Sequence, residues 1–105
     1  MMIRFNKSVG KTIAEGRITV PQKYALDLDN AQYCAIGESV NMTYCLQNGA
    51  QINGRLYQSI NNTTTYYQFY IPDQKDIEIF KDHIGSYGDL SIDFDLRTHC
   101  LYVFS

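Results

Sequence analysis

The stretches Phe5-Asn6-Lys7-Ser8-Val9-Gly10-Lys11 and Gly16-Arg17-Ile18-Thr19-Val20-Pro21 decide how this chain is read. They predict a strand, a basic loop and a second short strand stopped by proline. Strand side chains alternate, so Ile18 and Val20 face one side while Arg17 and Thr19 face the other. The loop carries Lys7, Ser8, Lys11 and Thr12 and meets no acid before Glu15. Cations and hydroxyls without a carboxylate suit phosphate oxygens and base edges better than hydrolytic chemistry.

Strand signals continue outward from this segment. Val40 to Leu46 alternates Val40, Met42, Tyr44 and Leu46 with Asn41, Thr43 and Cys45, the pattern of a half-buried strand. Asn48-Gly49 and then Gly54 predict a punctuated connection to the strand Arg55-Leu56-Tyr57-Gln58-Ser59-Ile60. The polar tip Asn61-Asn62-Thr63-Thr64-Thr65 follows. The aromatic run Tyr66 to Ile71 then reads as the hairpin partner of that strand. Two last strands, Leu90 to Leu96 and Cys100 to Phe104, flank the turn Arg97-Thr98-His99, with Gly88-Asp89 marking the start of the first.

Two helices interrupt the strands. Pro21 to Leu26 predicts a short one with proline at its first position. Asp73 to Ile84 predicts the clearer one. Asp73 is its N-cap, Gly85 its stop, and Ile77, Phe80 and Ile84 its apolar face. Seven short strands and two short helices predict a mostly β (α+β) fold. Its most economical form is a seven-stranded, partly open antiparallel barrel, because closure removes exposed sheet edges.

At 105 residues the chain accommodates one core, so residues 1–105 are read as a single domain. No apolar run approaches the roughly 20 residues of a membrane helix, and the polar start after Met1-Met2-Ile3-Arg4 predicts no secretory signal. Cys34, Cys45 and Cys100 are odd in number and lack C-x-x-C spacing, which predicts reduced thiols and a cytoplasmic location. The net charge of −2 conceals a gradient. Residues 1–24 hold Arg4, Lys7, Lys11, Arg17 and Lys23 against Glu15, a balance of +4. Residues 73–105 hold three cations against seven acids, a balance of −4. A domain with one basic and one acidic end can orient itself on a polyanion.

Catalytic patterns are weak, and no metal or cofactor is expected. His83 reads as a residue on the polar side of a helix and His99 as a turn residue. The adjacent His99 and Cys100 would point to opposite faces of a strand. Asp93 and Asp95 share a strand face, open to reading as a carboxylate pair or metal site, or as the solvated outer face of an edge strand. Gly-rich phosphate loops and zinc spacings do not occur. The nine tyrosines are more distinctive. Tyr57, Tyr66, Tyr67 and Tyr70 cluster on the hairpin, either as barrel wall or as a ligand surface with Arg55, Gln58, Ser59 and Gln68. Asn and Gln can pair with adenine, Arg with guanine, and Tyr with phosphate.

Taken in order, these pieces resemble the DNA-binding pseudobarrel of the plant B-three family and its bacterial restriction-enzyme relatives, including McrBC-related, LlaJI-like systems. The resemblance covers nearly the whole chain. It runs through the strand Phe5 to Lys7, a first arm Ser8 to Gly16, and the Arg17 to Pro21 strand end with its R-x-x-x-P pattern. It continues through a short helix Gln22 to Leu28, the central strands, a polar second arm Asn61 to Thr65 and a second helix. The tryptophan-bearing strand and the more basic first arm of the plant family are absent.

The resemblance implies a sequence-specific module that recognises double-stranded DNA, with both arms entering the major groove. The first arm would contribute Lys7, Ser8, Lys11, Thr12 and Arg17. The second would contribute Arg55, Tyr57, Gln58, Ser59, Asn61, Asn62, Thr63, Thr64, Thr65 and Tyr66. It further implies a monomeric domain without catalysis, the terminal part of a longer restriction protein. A fused or partner nucleotide-dependent motor and nuclease would do the cutting. Gly16 to Pro21 is also similar to the swapped-hairpin AbrB/MazE regulators. A sugar- or protein-binding β-module is a third reading of the tyrosine-rich hairpin.

Overall fold

A computed structural model describes residues 2–85 and 87–105; Met1, part of the N-terminal reading above, lies outside them. The strands are β1 (Met2–Ser8), β2 (Ile18–Thr19), β3 (Ser39–Leu46), β4 (Gln51–Asn61), β5 (Thr64–Tyr70), β6 (Asp89–Asp95) and β7 (Cys100–Phe104). The helices are α1 (Lys11–Ala14), α2 (Gln22–Asn30) and α3 (Gln74–Ile84). All seven strands join one curled sheet in the order β1-β6-β7-β3-β4-β5-β2, a mostly β half-barrel.

The expected pseudobarrel is correct in class, with two corrections. The sheet is mixed, because β3 and β7 run parallel, pairing Thr43 with Cys100 and Leu46 with Val103. Parallel neighbours need a long crossover. Here β4, β5, α3 and β6 supply it, a relationship that alternation within single strands does not encode. There are also three helices rather than two among the described residues, since the first arm winds into the single turn α1.

Alternation builds the core. Along β4, Ile52, Leu56 and Gln58 turn inward, while Arg55, Tyr57 and Ser59 turn outward. On β5, Tyr67 and Phe69 turn inward and Tyr66, Gln68 and Tyr70 outward. The interior is filled by Tyr44, Leu56, Tyr67, Phe69, Phe80, Leu90, Ile92, Phe94 and Leu101, all at most 1% exposed. The helix α3 closes it as the periodicity predicts, with Phe80 and Ile84 buried and the Phe80 ring edge-on to Tyr44 at 5.5 Å. The Asp73 carboxylate caps α3 by accepting from the backbone N–H of Lys75 at 2.8 Å and of Asp76 at 3.2 Å. Pro21 stands at the N-cap of α2 rather than inside its first turn. Its fixed φ of −56° with an extended ψ of 140° delivers the chain from β2 into the helix.

Gly54 corrects another expectation. It lies inside β4, opposite Met42, and does not punctuate a connection. A β-carbon there would stand 2.3 Å from the Tyr44 ring, so only glycine lets that large side chain lie across the strand. The segment from Gly16 to Pro21 pairs within its own chain, Ile18 with Phe69 and Thr19 with Gln68. β1 and β2 are thus the two ends of the sheet order, and the segment containing α1 bridges them.

Candidate nucleic-acid interface

The outward residues of β4, β5 and β2 form one continuous polar surface. Register sets Arg55 opposite Tyr70, Tyr57 opposite Gln68, Ser59 opposite Tyr66, and Gln68 beside Thr19. Hydrogen bonds run across it. The Tyr57 hydroxyl donates to Gln68 Oε1 at 2.5 Å, and Gln68 Nε2 donates to Thr19 Oγ1 at 3.0 Å. Arg55 Nη1 donates to Ser39 Oγ at 3.0 Å. The Tyr57 ring sits edge-on between Tyr70 at 5.3 Å and Tyr66 at 6.3 Å. Its phenol titrates above the ordinary value, first because it is desolvated and then because of Tyr66, with the Arg17 charge pulling the other way. No carboxylate belongs to this set of side chains, and Arg17 stands exposed at its margin.

The hairpin tip continues the surface. Asn61, Asn62, Thr63 and Thr64 are all exposed, and Asn62 takes the left-handed backbone at φ 56°. Asn tolerates that conformation better than a branched residue does. Gln22 Nε2 donates to the Thr65 carbonyl at 3.0 Å and so ties α2 to the arm. Between Gln22, Thr19 and the tip lies a cleft floored by Tyr66 and Gln68 and lined only by uncharged polar groups and a tyrosine.

The first arm differs from the loop that was expected. Lys7 and Ser8 belong to β1, where they pair with Leu90 and Asp89. The Ser8 hydroxyl donates to Asp89 Oδ1 at 3.1 Å, so it already has an anionic partner. Lys7 lies with its Nζ 6.0 Å from the centre of the Phe5 ring. Lys11 and Thr12 are exposed on α1. Behind them, Gly16 adopts φ +86° against Ile71, and its carbonyl is bonded by Tyr44.

Gln58 is the clearest correction among the expected site residues. It is 7% exposed and faces inward, with Nε2 at 3.4 Å from Asp29 Oδ1, because it shares strand parity with Leu56 rather than with Arg55 and Tyr57. Gln68 and Thr19 occupy the place it was expected to fill. The strand face that Thr19 shares with Arg17 was the signal that could have found Thr19.

The catalytic alternatives are occupied otherwise. Asp93 and Asp95 lie on β6, which pairs with β1 and β7 and is not the edge strand expected. Asp93 lies 3.4 Å from Arg4 Nε, and Asp95 accepts from the Arg97 backbone N–H at 2.9 Å. His99 has φ 59° and meets the Tyr33 hydroxyl through Nδ1. His83, expected on the polar side of its helix, is instead half-buried edge-on to Tyr87 at 5.8 Å, with its Nε2 buried and without a partner among the described residues. Among the described residues no group of three His, Cys, Asp or Glu side chains is arranged to hold a metal ion, and no helix is long and apolar enough to cross a membrane.

No family model matches the chain, and no curated protein or solved structure is significantly similar to it.

Proposed function

We propose that this protein is a sequence-specific recognition module for double-stranded DNA that reads the major groove with the β4–β5 hairpin and grips phosphates with Arg17, Arg55 and Lys11. The observation that carries this reading is the half-used amide of Gln68. An amide offers two N–H donors and a carbonyl with two lone pairs. Tyr57 occupies one lone pair and Thr19 one N–H. One donor and one acceptor remain, the combination with which a glutamine pairs bidentately to adenine in the major groove. Tyr57 and Thr19 tether both ends of the amide, so little rotamer entropy remains to be lost on contact.

The same reading extends to context. A domain of this kind would serve a restriction system, where a separate motor and nuclease cut the DNA; Asp93 and Asp95, each engaged elsewhere, take no part in it. The direct test is selection of binding sites from random duplexes, followed by titration of the selected site. A selected site containing a fixed adenine whose preference disappears in Gln68→Ala supports the reading. Failure to enrich any sequence, with no retention on heparin, overturns it.

A further inference from the structure

On the inward side of the same hairpin, at one end of the barrel, lies a cavity of about 500 Å³ between α2, the turn before β3 and the inner face of β4 and β5. It falls within the size range of small-molecule sites. Its walls combine the rings of Tyr33 and Tyr67 with the carboxylates of Asp29 and Glu38 and the amide of Gln58.

The hydrogen bonding inside it is one-sided. Tyr67 donates to Asp29 Oδ1 at 2.6 Å, and Gln58 Nε2 approaches the same oxygen at 3.4 Å. Because a carboxylate only accepts, the amide nitrogen must face it. The Gln58 carbonyl is therefore the end left over. Gln58 as a residue is 7% exposed, and its Oε1, which no described protein group bonds, opens into the cavity. Asp29 and Glu38 stand exposed at the cavity's rim, with Asp29 Oδ2 and Glu38 Oε2 open to solvent and Glu38 Oε1 accepting from the Ala35 N–H at 3.2 Å. Burial holds the Tyr33 and Tyr67 phenols above their ordinary pKa, so both stay neutral. No Lys or Arg lines the cavity.

We infer that this cavity binds a guanidinium-bearing ligand. A flat cation with several N–H donors satisfies the Gln58 carbonyl and a carboxylate at once, and it stacks on tyrosine faces where a compact ammonium does not. The two carboxylates repel phosphate, which separates this site from any DNA backbone contact. The inference stands apart from the DNA reading, since it uses the opposite face of the hairpin.

The test is an amide-resolved NMR titration of the whole chain with propylguanidine, and with propylurea as its neutral isostere. Saturable shifts at Cys34, Glu38 and Gln58, with propylurea at least about tenfold weaker, are expected. Asp29→Asn retains an oxygen for Tyr67 and so keeps the fold; it should weaken propylguanidine about tenfold, and Glu38→Gln should weaken it as well. Equal binding of propylurea, unchanged affinity in both variants, or shifts spread over remote carboxylates such as Asp82 would overturn the inference. Free arginine and a capped Gly-Arg-Gly peptide separate the sources. Tighter binding of the amino acid assigns the site to a small guanidino compound, and tighter binding of the peptide assigns it to an arginine of a partner chain.

Discussion

The Tyr44 hydroxyl donates a 2.5 Å hydrogen bond to the Gly16 carbonyl, joining the centre of the core to the segment that bridges the two edge strands. Tyr44 is fully buried, and that burial drives its pKa well above the ordinary phenol value, so the hydroxyl stays a donor. Tyr44→Phe keeps the ring but leaves the Gly16 carbonyl unpaired. It should lower stability by about 1–3 kcal/mol, seen in urea unfolding as a lower midpoint with an unchanged slope. An unchanged midpoint would mean that water replaces the hydroxyl.

Gly54→Ala tests the other side of the same ring. The added carbon would lie 2.3 Å from Tyr44 and 2.7 Å from the Met42 sulfur. Overpacking of this kind costs about 1–3 kcal/mol. The double variant Gly54→Ala/Tyr44→Leu should recover part of that loss, because the clash is with the ring. Strictly additive losses would refute this account of the glycine.

On DNA, Arg17→Ala and Arg55→Ala should weaken every duplex alike. Each should also reduce the steepness of the salt dependence by roughly one phosphate contact. Lys11→Ala should do the same if α1 grips the backbone. A loss confined to one sequence would instead make the arginine a base reader.

The two glutamines of the hairpin should separate cleanly. Gln68→Ala should cost about 1–3 kcal/mol on the cognate site and little on random DNA, with stability almost unchanged. Gln58→Ala should instead lower stability and leave DNA affinity intact, since its side chain is buried on the other face. Reversed outcomes would mean that the assignment of faces is wrong for binding.

Alkaline unfolding follows from the buried phenols. Desolvation first, and the hydrogen bond to Asp29 second, raise Tyr67 above its ordinary value, and burial raises Tyr33. A native state that holds its proton more tightly than the unfolded chain is stabilised fully below the unfolded value of about 10. That stabilisation is lost as pH rises from there toward the native values. Tyr67→Phe should therefore flatten the fall in stability above pH of about 10. An identical alkaline profile in the variant would remove Tyr67 as a cause.

Most of the strands were legible because alternation is a local property, set by the chain's own pleat. The α3 cap at Asp73 and the place of the hairpin turn were legible for the same reason, since capping and turn chemistry act over three or four residues. The turn itself is only Asn62-Thr63, and the rest of the expected Asn61–Thr65 tip pairs in β4 and β5. The inward position of Gln58 was also encoded, in its shared parity with Ile52 and Leu56, although its polarity argued for the surface. Only the tertiary structure decided that β7 lies parallel to β3, that Tyr44 requires glycine at position 54, and that Asp29 meets Gln58 and Tyr67. Those relationships join residues far apart in the chain, and the packing of one curled sheet brings them together where no local periodicity reaches.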